Sequence, residues 1–373
     1  LSVFKEGKNM FAFVVGTRPE IIKMAPIIRE CKKQGIADLI IHTGQHYSYE
    51  MDKVFFEELK LNDPDYTLGV GSCSDAEQIG KILVGVENVL MKEQPDVVLV
   101  EGDTNSVFAG AFAATKLHVE VGHIEAGLRS FDRFMPEEIN RILTDHISDF
   151  LFAPTAEAKK NLLAEGIPVN KISITGNTIV DAVHQNLQLA QKKESVLNEL
   201  SIEKGDYFLT TAHRRENVDN KARLSGILKG LTELHYEFGV PIIFPMHPHT
   251  KKRIAEFNLA LEGITPISPI GFLEFLLLEA NAKLVITDSG GVQEEACILG
   301  VPCITVRNNT ERPETIAVHS NLLVGTQSDQ ILSGAKAMLN TPHKWSNPFG
   351  NGDAGERIVS VLTDAFKACG VEI

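Results

Sequence analysis

Short apolar or β-branched runs alternate along this chain with longer segments of helical period, the pattern of parallel α/β layers. FAFVVG, from Phe11 to Gly16, predicts a first strand, and the spacing of the apolar residues after it predicts a helix over 19–34 that Gly35 is placed to end. Further strands are expected at LIIHTG from Leu39, DVVLVEG from Asp96, VEVGHIE from Val119, FLFAP from Phe150 and ISITG from Ile172. A charged helical segment from about Asp181 to Leu200 interrupts the series. The alternation restarts at Tyr207 with YFLTTAH, PIIFPMH, ITPIS, KLVITDSGG, PCITV and NLLVG. The chain therefore reads as α/β, two Rossmann-like doubly wound parallel-sheet domains over 10–180 and 181–355. A last helix, about 356–373 within a helical spacing that starts at Ala354, is expected to pack back on the first domain.

In open parallel sheets ligands bind beyond the carboxyl ends of the strands, so the residues just after each strand carry the information. In the first half these are Arg18, Gln45 with His46, Asp103, and Glu125 with Arg129. In the second they are His213 with Arg214 and Arg215, His247, Asp288 with Ser289, Gly290 and Gly291, then Arg307 and Arg312. Two such polar edges predict a cleft between the domains.

Composition mainly excludes. With 373 residues, 43% hydrophobic and 23% charged, the chain is neither disordered nor fibrous. A net charge of −13 argues against nucleic acid as the main partner. Cys31, Cys73, Cys297, Cys303 and Cys369 are scattered without a C-x-x-C pair and read as thiols of a reducing compartment. No apolar stretch reaches the roughly 18 residues of a membrane span, and LSVFKEGKN lacks the apolar centre of a signal peptide. The expectation is a cytoplasmic protein without a membrane partner, with Met10 as a natural start.

KLVITDSGGVQEEACILG is the sharpest motif by mechanism: a strand runs into Ser289-Gly290-Gly291, and a helix from near Val292 to Gly300 points free N–H groups at whatever sits above the glycines. A phosphate suits that position, although glycines also serve a plain strand-to-helix turn. No G-x-G-x-x-G follows the first strand and no Walker lysine appears after a glycine loop, which argues against nicotinamide and ATP chemistry. Arg18 either binds an anion or caps its own turn. Asp103 has the alternative role of a helix N-cap, Glu125 that of a partner for Arg129, and Glu137 that of a first-turn carboxylate favoured by the helix dipole. Their joint placement at one sheet edge favours function. His123 and Glu125 spell H-x-E without the P-C-x-x-C of a zinc deaminase, and Asp63-Pro64-Asp65 reads as a turn. No metal and no cofactor are expected.

The motifs GTRPE, GDT, HIEAGLRS, PEEINR, TGNTIVD, HRREN, DSGGVQEEA and TERPE, in this order from about Met10 to Leu362, resemble the non-hydrolysing UDP-N-acetylglucosamine 2-epimerase family. The resemblance implies a glycosyltransferase B-type fold and reversible interconversion of UDP-N-acetylglucosamine and UDP-N-acetylmannosamine. It assigns catalysis to Asp103, Glu125, Glu137 and His213. Substrate contacts fall to Arg18, Lys23, Ser289, Gly290, Gly291 and Arg312, with Glu295 on the ribose hydroxyls and Phe275 on uracil. It also implies a homodimer feeding polysaccharide biosynthesis, and an effector site at Gln45, His46 and His247, although GVGSCSDAEQ lacks the basic residue expected there.

The chemistry makes sense of these side chains. A hydrogen on carbon 2 of a pyranose is not beside a carbonyl, so loss of UDP must first build oxocarbenium character that acidifies it. Donors on the diphosphate assist that departure. Removing the proton gives 2-acetamidoglucal, and its return on the opposite face calls for more than one acid/base group. A hydrolysing epimerase, a glycosyltransferase and a non-catalytic sugar-nucleotide sensor are the competing readings. A sensor has no use for Asp103, Glu125 and Glu137 together.

Overall fold

A computed structural model describes residues 9–45, 49–342 and 344–368. Seven strands form the first sheet: β1 (Met10–Val15), β2 (Ala37–His42), β3 (Tyr66–Thr67), β4 (Val97–Glu101), β5 (Glu120–Ile124), β6 (Phe150–Ala153) and β7 (Ile172–Ile174). Their order is β3-β2-β1-β4-β5-β6-β7, with every pairing parallel. The second sheet has β8 (Phe208–Thr211), β9 (Ile242–Pro245), β10 (Ile264–Ile267), β11 (Leu284–Thr287), β12 (Cys303–Thr305) and β13 (Asn321–Leu323). It is also parallel, in the order β10-β9-β8-β11-β12-β13. The near-continuous apolar runs have this cause: helices cover both faces, so the central strands are buried along their length.

Chain order reverses between β1 and β4 in one sheet and between β8 and β11 in the other. Those switch points are where an open α/β sheet leaves a crevice beyond its strands. The first lies between the turns after Val15 and Glu101, the second between those after Thr211 and Thr287. A Cβ on Gly16 would stand 2.1 Å from Ser106 Oγ and 2.3 Å from Thr43 Oγ1, so only glycine lets the chain leave β1 this close to its neighbours.

The chain divides into two compact units, between Ala182 and Val183 and again between Pro348 and Phe349. The helix Ala354–Ala368 belongs to the first unit, where it packs on the helix Arg18–Gln34. Asp181 accepts from the N–H groups of Ala354 (3.2 Å) and Gly355 (3.0 Å), and Phe366 meets Phe11 and Phe150 at 6.0 and 6.4 Å between ring centroids. The expected single helix near Asp181–Leu200 is instead Thr178–Ala190 followed by short turns and Ser195–Glu199. Strand β3 has two residues, too few for a period to register. Asp65 of the D-x-D segment is structural, accepting from the N–H of Ile40 at 2.8 Å. Among the described residues no helix is long and apolar enough to cross a membrane.

Candidate functional site

In the first unit the polar groups gather at the carboxyl edge of the sheet. Glu125 follows β5 directly and adopts a left-handed backbone, φ +66°, a conformation that strains a non-glycine residue by about 1–3 kcal/mol. Its Oε1 accepts from Lys23 Nζ at 2.6 Å and from Asn177 Nδ2 at 2.8 Å. Its partner is thus not Arg129, which pairs with Asp145 and Glu165. Lys23 Nζ also lies 3.1 Å from Glu101 Oε1, so one buried ammonium serves two buried carboxyls.

Glu20, a third buried carboxyl, accepts from the N–H of Gly16 at 2.6 Å. Burial pushes Glu20 up to about 7 against the pull of its hydrogen bonds to Thr104 and Gly16. Burial also holds Glu101 well above the ordinary carboxylate range, outweighing Lys23 and reinforced by Glu125 and Glu20. Folded Glu20 therefore keeps a proton between about pH 4.5 and about 7 that the unfolded chain has released, and stability is lost as pH rises through that window. Glu20→Gln is expected to remove about 2 to 4 kcal/mol of this pH-dependent loss, read as a smaller fall in Tm between about pH 5 and pH 7.5. An unchanged Tm difference between wild type and variant across that range counts against a protonated Glu20.

Asp103 follows β4 and is not a helix cap: Thr104 caps the helix Asn105–Lys116, accepting from the N–H groups of Ser106 and Val107. Arg141 grips Asp103 Oδ2 through Nε (3.0 Å) and Nη2 (2.8 Å), and also pairs with Glu138. Glu138 accepts from the N–H groups of Ser130 and Phe131, both at 2.9 Å. Asp103 is thereby tied to the helix Pro136–Ile147, whose first turn carries half-buried Glu137. His123 Nδ1 lies 2.7 Å from Asp145 Oδ1 and its Nε2 2.9 Å from the Gly102 carbonyl. Asp145 also accepts from the N–H of Gly127 (3.2 Å), where a Cβ would meet the Ala158 carbonyl at 2.3 Å. This buried network braces both turns that present Asp103 and Glu125.

Arg18 opens the helix Arg18–Gln34 with its guanidinium 4.9 Å over the Phe55 ring. Gln45 is buried, its Oε1 taking Ser106 Oγ (2.6 Å) and N–H (3.1 Å). His46 lies outside the described residues. His247 stands in the other unit, as N-cap of the helix Pro248–Glu256.

In the second unit Asp288 is the hub. Fully buried, it accepts from the N–H groups of His213 (3.0 Å) and Arg214 (3.0 Å) and from Asn217 Nδ2 (3.1 Å), and lies 3.1 Å from His213 Nδ1. Burial opposes its charge, but His213 and the backbone donors outweigh burial and hold Asp288 below the usual carboxylate range. His213, half-exposed, is so fixed across the switch point between β8 and β11.

Ser289 caps the helix Gly290–Leu299, leaving its first-turn N–H groups without intrahelical partners. Beside Gly290 lies Glu311, which pairs with Arg214 (3.0 Å) and Arg307 (2.8 Å). Burial alone would raise Glu311, yet Arg307, Arg312 and Arg214 bring it down to about 2. Arg312 also pairs with Glu294 at 2.7 Å. Buried guanidinium groups beside a helix N-terminus suit an anion with several oxygens. Glu295 is buried on the same helix, and half-buried Phe275 lies on the helix Phe272–Ala280.

No group of His, Cys, Asp and Glu suited to a metal occurs among the described residues. Sequence reasoning missed Glu20, Glu101 and the hub role of Asp288. A glutamate ending the apolar run VVLVE was the one available signal.

A family model described as UDP-N-acetylglucosamine 2-epimerase matches residues 29–363. The chain is 58% identical over 360 residues to the UDP-N-acetylglucosamine 2-epimerase of Methanocaldococcus jannaschii, covering 94% of this chain and 98% of that one. It is 42% identical over 353 residues to the UDP-2,3-diacetamido-2,3-dideoxy-D-glucuronate 2-epimerase of Pseudomonas aeruginosa, covering 94% and 98%. A crystal structure of the M. jannaschii enzyme in complex with UDP-GlcNAc and UDP superposes with a TM-score of 0.89 at 58% identity, covering 95% of this chain and 99% of that one.

Proposed function

The chain belongs to the UDP-N-acetylglucosamine 2-epimerase family, and on that premise we propose that it interconverts UDP-N-acetylglucosamine and UDP-N-acetylmannosamine by reversible loss of UDP, without net hydrolysis. The second unit takes UDP: Ser289, the amides of Gly290 and Gly291 and the side chains of Arg312 and His213, joined by Arg18, stabilise the departing diphosphate. Glu295 receives the ribose hydroxyls and Phe275 packs on uracil. Asp103, Glu125 and Glu137 of the first unit support the oxocarbenium character and carry the carbon 2 proton away from one face and back to the other.

The observation that carries this reading is the cluster of Glu20, Glu101, Glu125 and Lys23, where burial brings Glu20 to about 7, near neutral pH, and lifts Glu101 well above the ordinary carboxylate range. Acid/base groups that must both take and give a proton work best in that range. The higher identity to the relative named for UDP-N-acetylglucosamine favours that sugar over the diacetamido uronate.

Incubation with UDP-N-acetylglucosamine in heavy water tests the mechanism. Deuterium is expected at carbon 2 of both epimers, with little UDP accumulating at early times. Stoichiometric release of UDP with N-acetylmannosamine instead means hydrolysis, and binding without exchange means a sensor. We further propose a homodimer, which sedimentation at micromolar concentration checks.

A further inference from the structure

Glu279 is a fully buried acid of the second unit that the proposed reaction leaves unused. It lies on the helix Phe272–Ala280, which packs on the helix Gly290–Leu299, and its side chain has no solvent exposure. Among the described residues neither of its carboxyl oxygens has an N–H or hydroxyl donor. The group it meets is the carboxyl of Glu295, within hydrogen-bonding reach.

Two carboxylates side by side in a dry site cannot both ionise, and a carboxyl offers a donor only when it holds a proton. On Glu279 itself the influences are burial and the Glu295 carboxyl. Glu295 has 9% exposure and Glu279 none, so the shared negative charge is better solvated on Glu295. We propose that Glu279 carries the proton of this pair and donates it to Glu295, fixing Glu295 as an aimed, acceptor-only carboxylate. Glu279 is then a positioning residue for nucleoside recognition. Its role rests on the assignment of Glu295 to the ribose hydroxyls: a carboxylate accepts from both hydroxyls, whereas a rotating or protonated carboxyl does not.

Calorimetric affinities of the full chain for UDP and 2′-deoxy-UDP, in wild type, Glu279→Gln and Glu279→Leu, test this, with thermal melts as the check on folding. A hydrogen bond to a charged group is worth about tenfold or more in affinity. Wild type is expected to prefer UDP over 2′-deoxy-UDP by about that factor. Glu279→Leu should lose most of the preference while changing 2′-deoxy-UDP affinity less than about threefold. Glu279→Gln, which keeps an N–H donor for Glu295, should retain it. A folded Glu279→Leu variant with wild-type preference overturns the role, as does equal loss in both variants. A wild type with no preference overturns the ribose assignment of Glu295, and this role with it, so the two failures are told apart.

Discussion

Glu125→Gln is expected to lower both epimerisation and carbon 2 deuterium exchange by about 10²- to 10⁴-fold, while UDP affinity changes less than about threefold. The substitution keeps the shape of the side chain and leaves an oxygen for Lys23 and Asn177, whose bonds to Glu125 are 2.6 and 2.8 Å. What it removes is the ability to hold and release a proton at a side chain that the left-handed turn after β5 presents at the sheet edge. It also removes the Glu125 charge that helps hold Glu101 up, which favours the ionised form of Glu101. The proposed UDP contacts lie mainly in the other unit, so binding should survive. Parallel assays of epimer ratio, isotope exchange and UDP calorimetry decide it. Near-normal exchange in the variant would remove Glu125 from the proton transfer. Asp103→Asn and Glu137→Gln are expected to behave alike, and near-normal rates in all three would overturn the assignment of the acids.

Asp288→Ala is expected to be the most damaging change in the second unit, costing about 3–5 kcal/mol of stability together with turnover. A fully buried carboxylate gathers the N–H groups of His213 and Arg214 and the amide of Asn217. Deleting it leaves these donors without their acceptor, and an unmade buried hydrogen bond costs more than a made one contributes. Because the fold depresses this group, its contribution is present above the ordinary carboxylate range and is lost as pH falls through the folded value. His213 would lose its tether across the switch point, and Arg214 its anchored turn beside Glu311. Asp288→Asn keeps one acceptor oxygen and should lose roughly half as much. Urea denaturation near neutral pH, monitored at the second unit, gives the measurement. A Glu311-to-Arg214 contact and a stability both unmoved in Asp288→Ala would mean that the hub is incidental.

Much of the fold was legible because its signals are local. The spacing after Gly16 placed a helix that runs Arg18–Gln34, and Gly35 ends it with φ +72°. The expected strands at Leu39, Asp96, Phe150, Tyr207 and Lys283 appear as β2, β4, β6, β8 and β11. Strand β3 was not legible, since two residues carry no period. The break of the helix after Ala190 was not legible either, because QKKES continues a charged helical composition. At the site, residue types after strands could be read, but their partners could not. Glu125 had Arg129 four positions away and chose Lys23, 102 positions distant.

By itself the sequence determined the two-fold series of parallel strands, the glycine turn at Ser289 and the polar residues at the strand ends, because periodicity, turn chemistry and chain direction are properties of neighbours. The tertiary structure alone decided which acid meets which cation, that Asp288 is a hub, and that burial raises Glu20 and Glu101 above the ordinary carboxylate range. Parallel sheets bring strand ends together only through long crossovers, and proton affinity follows from burial and charge in space, neither of which is written in the order of adjacent residues.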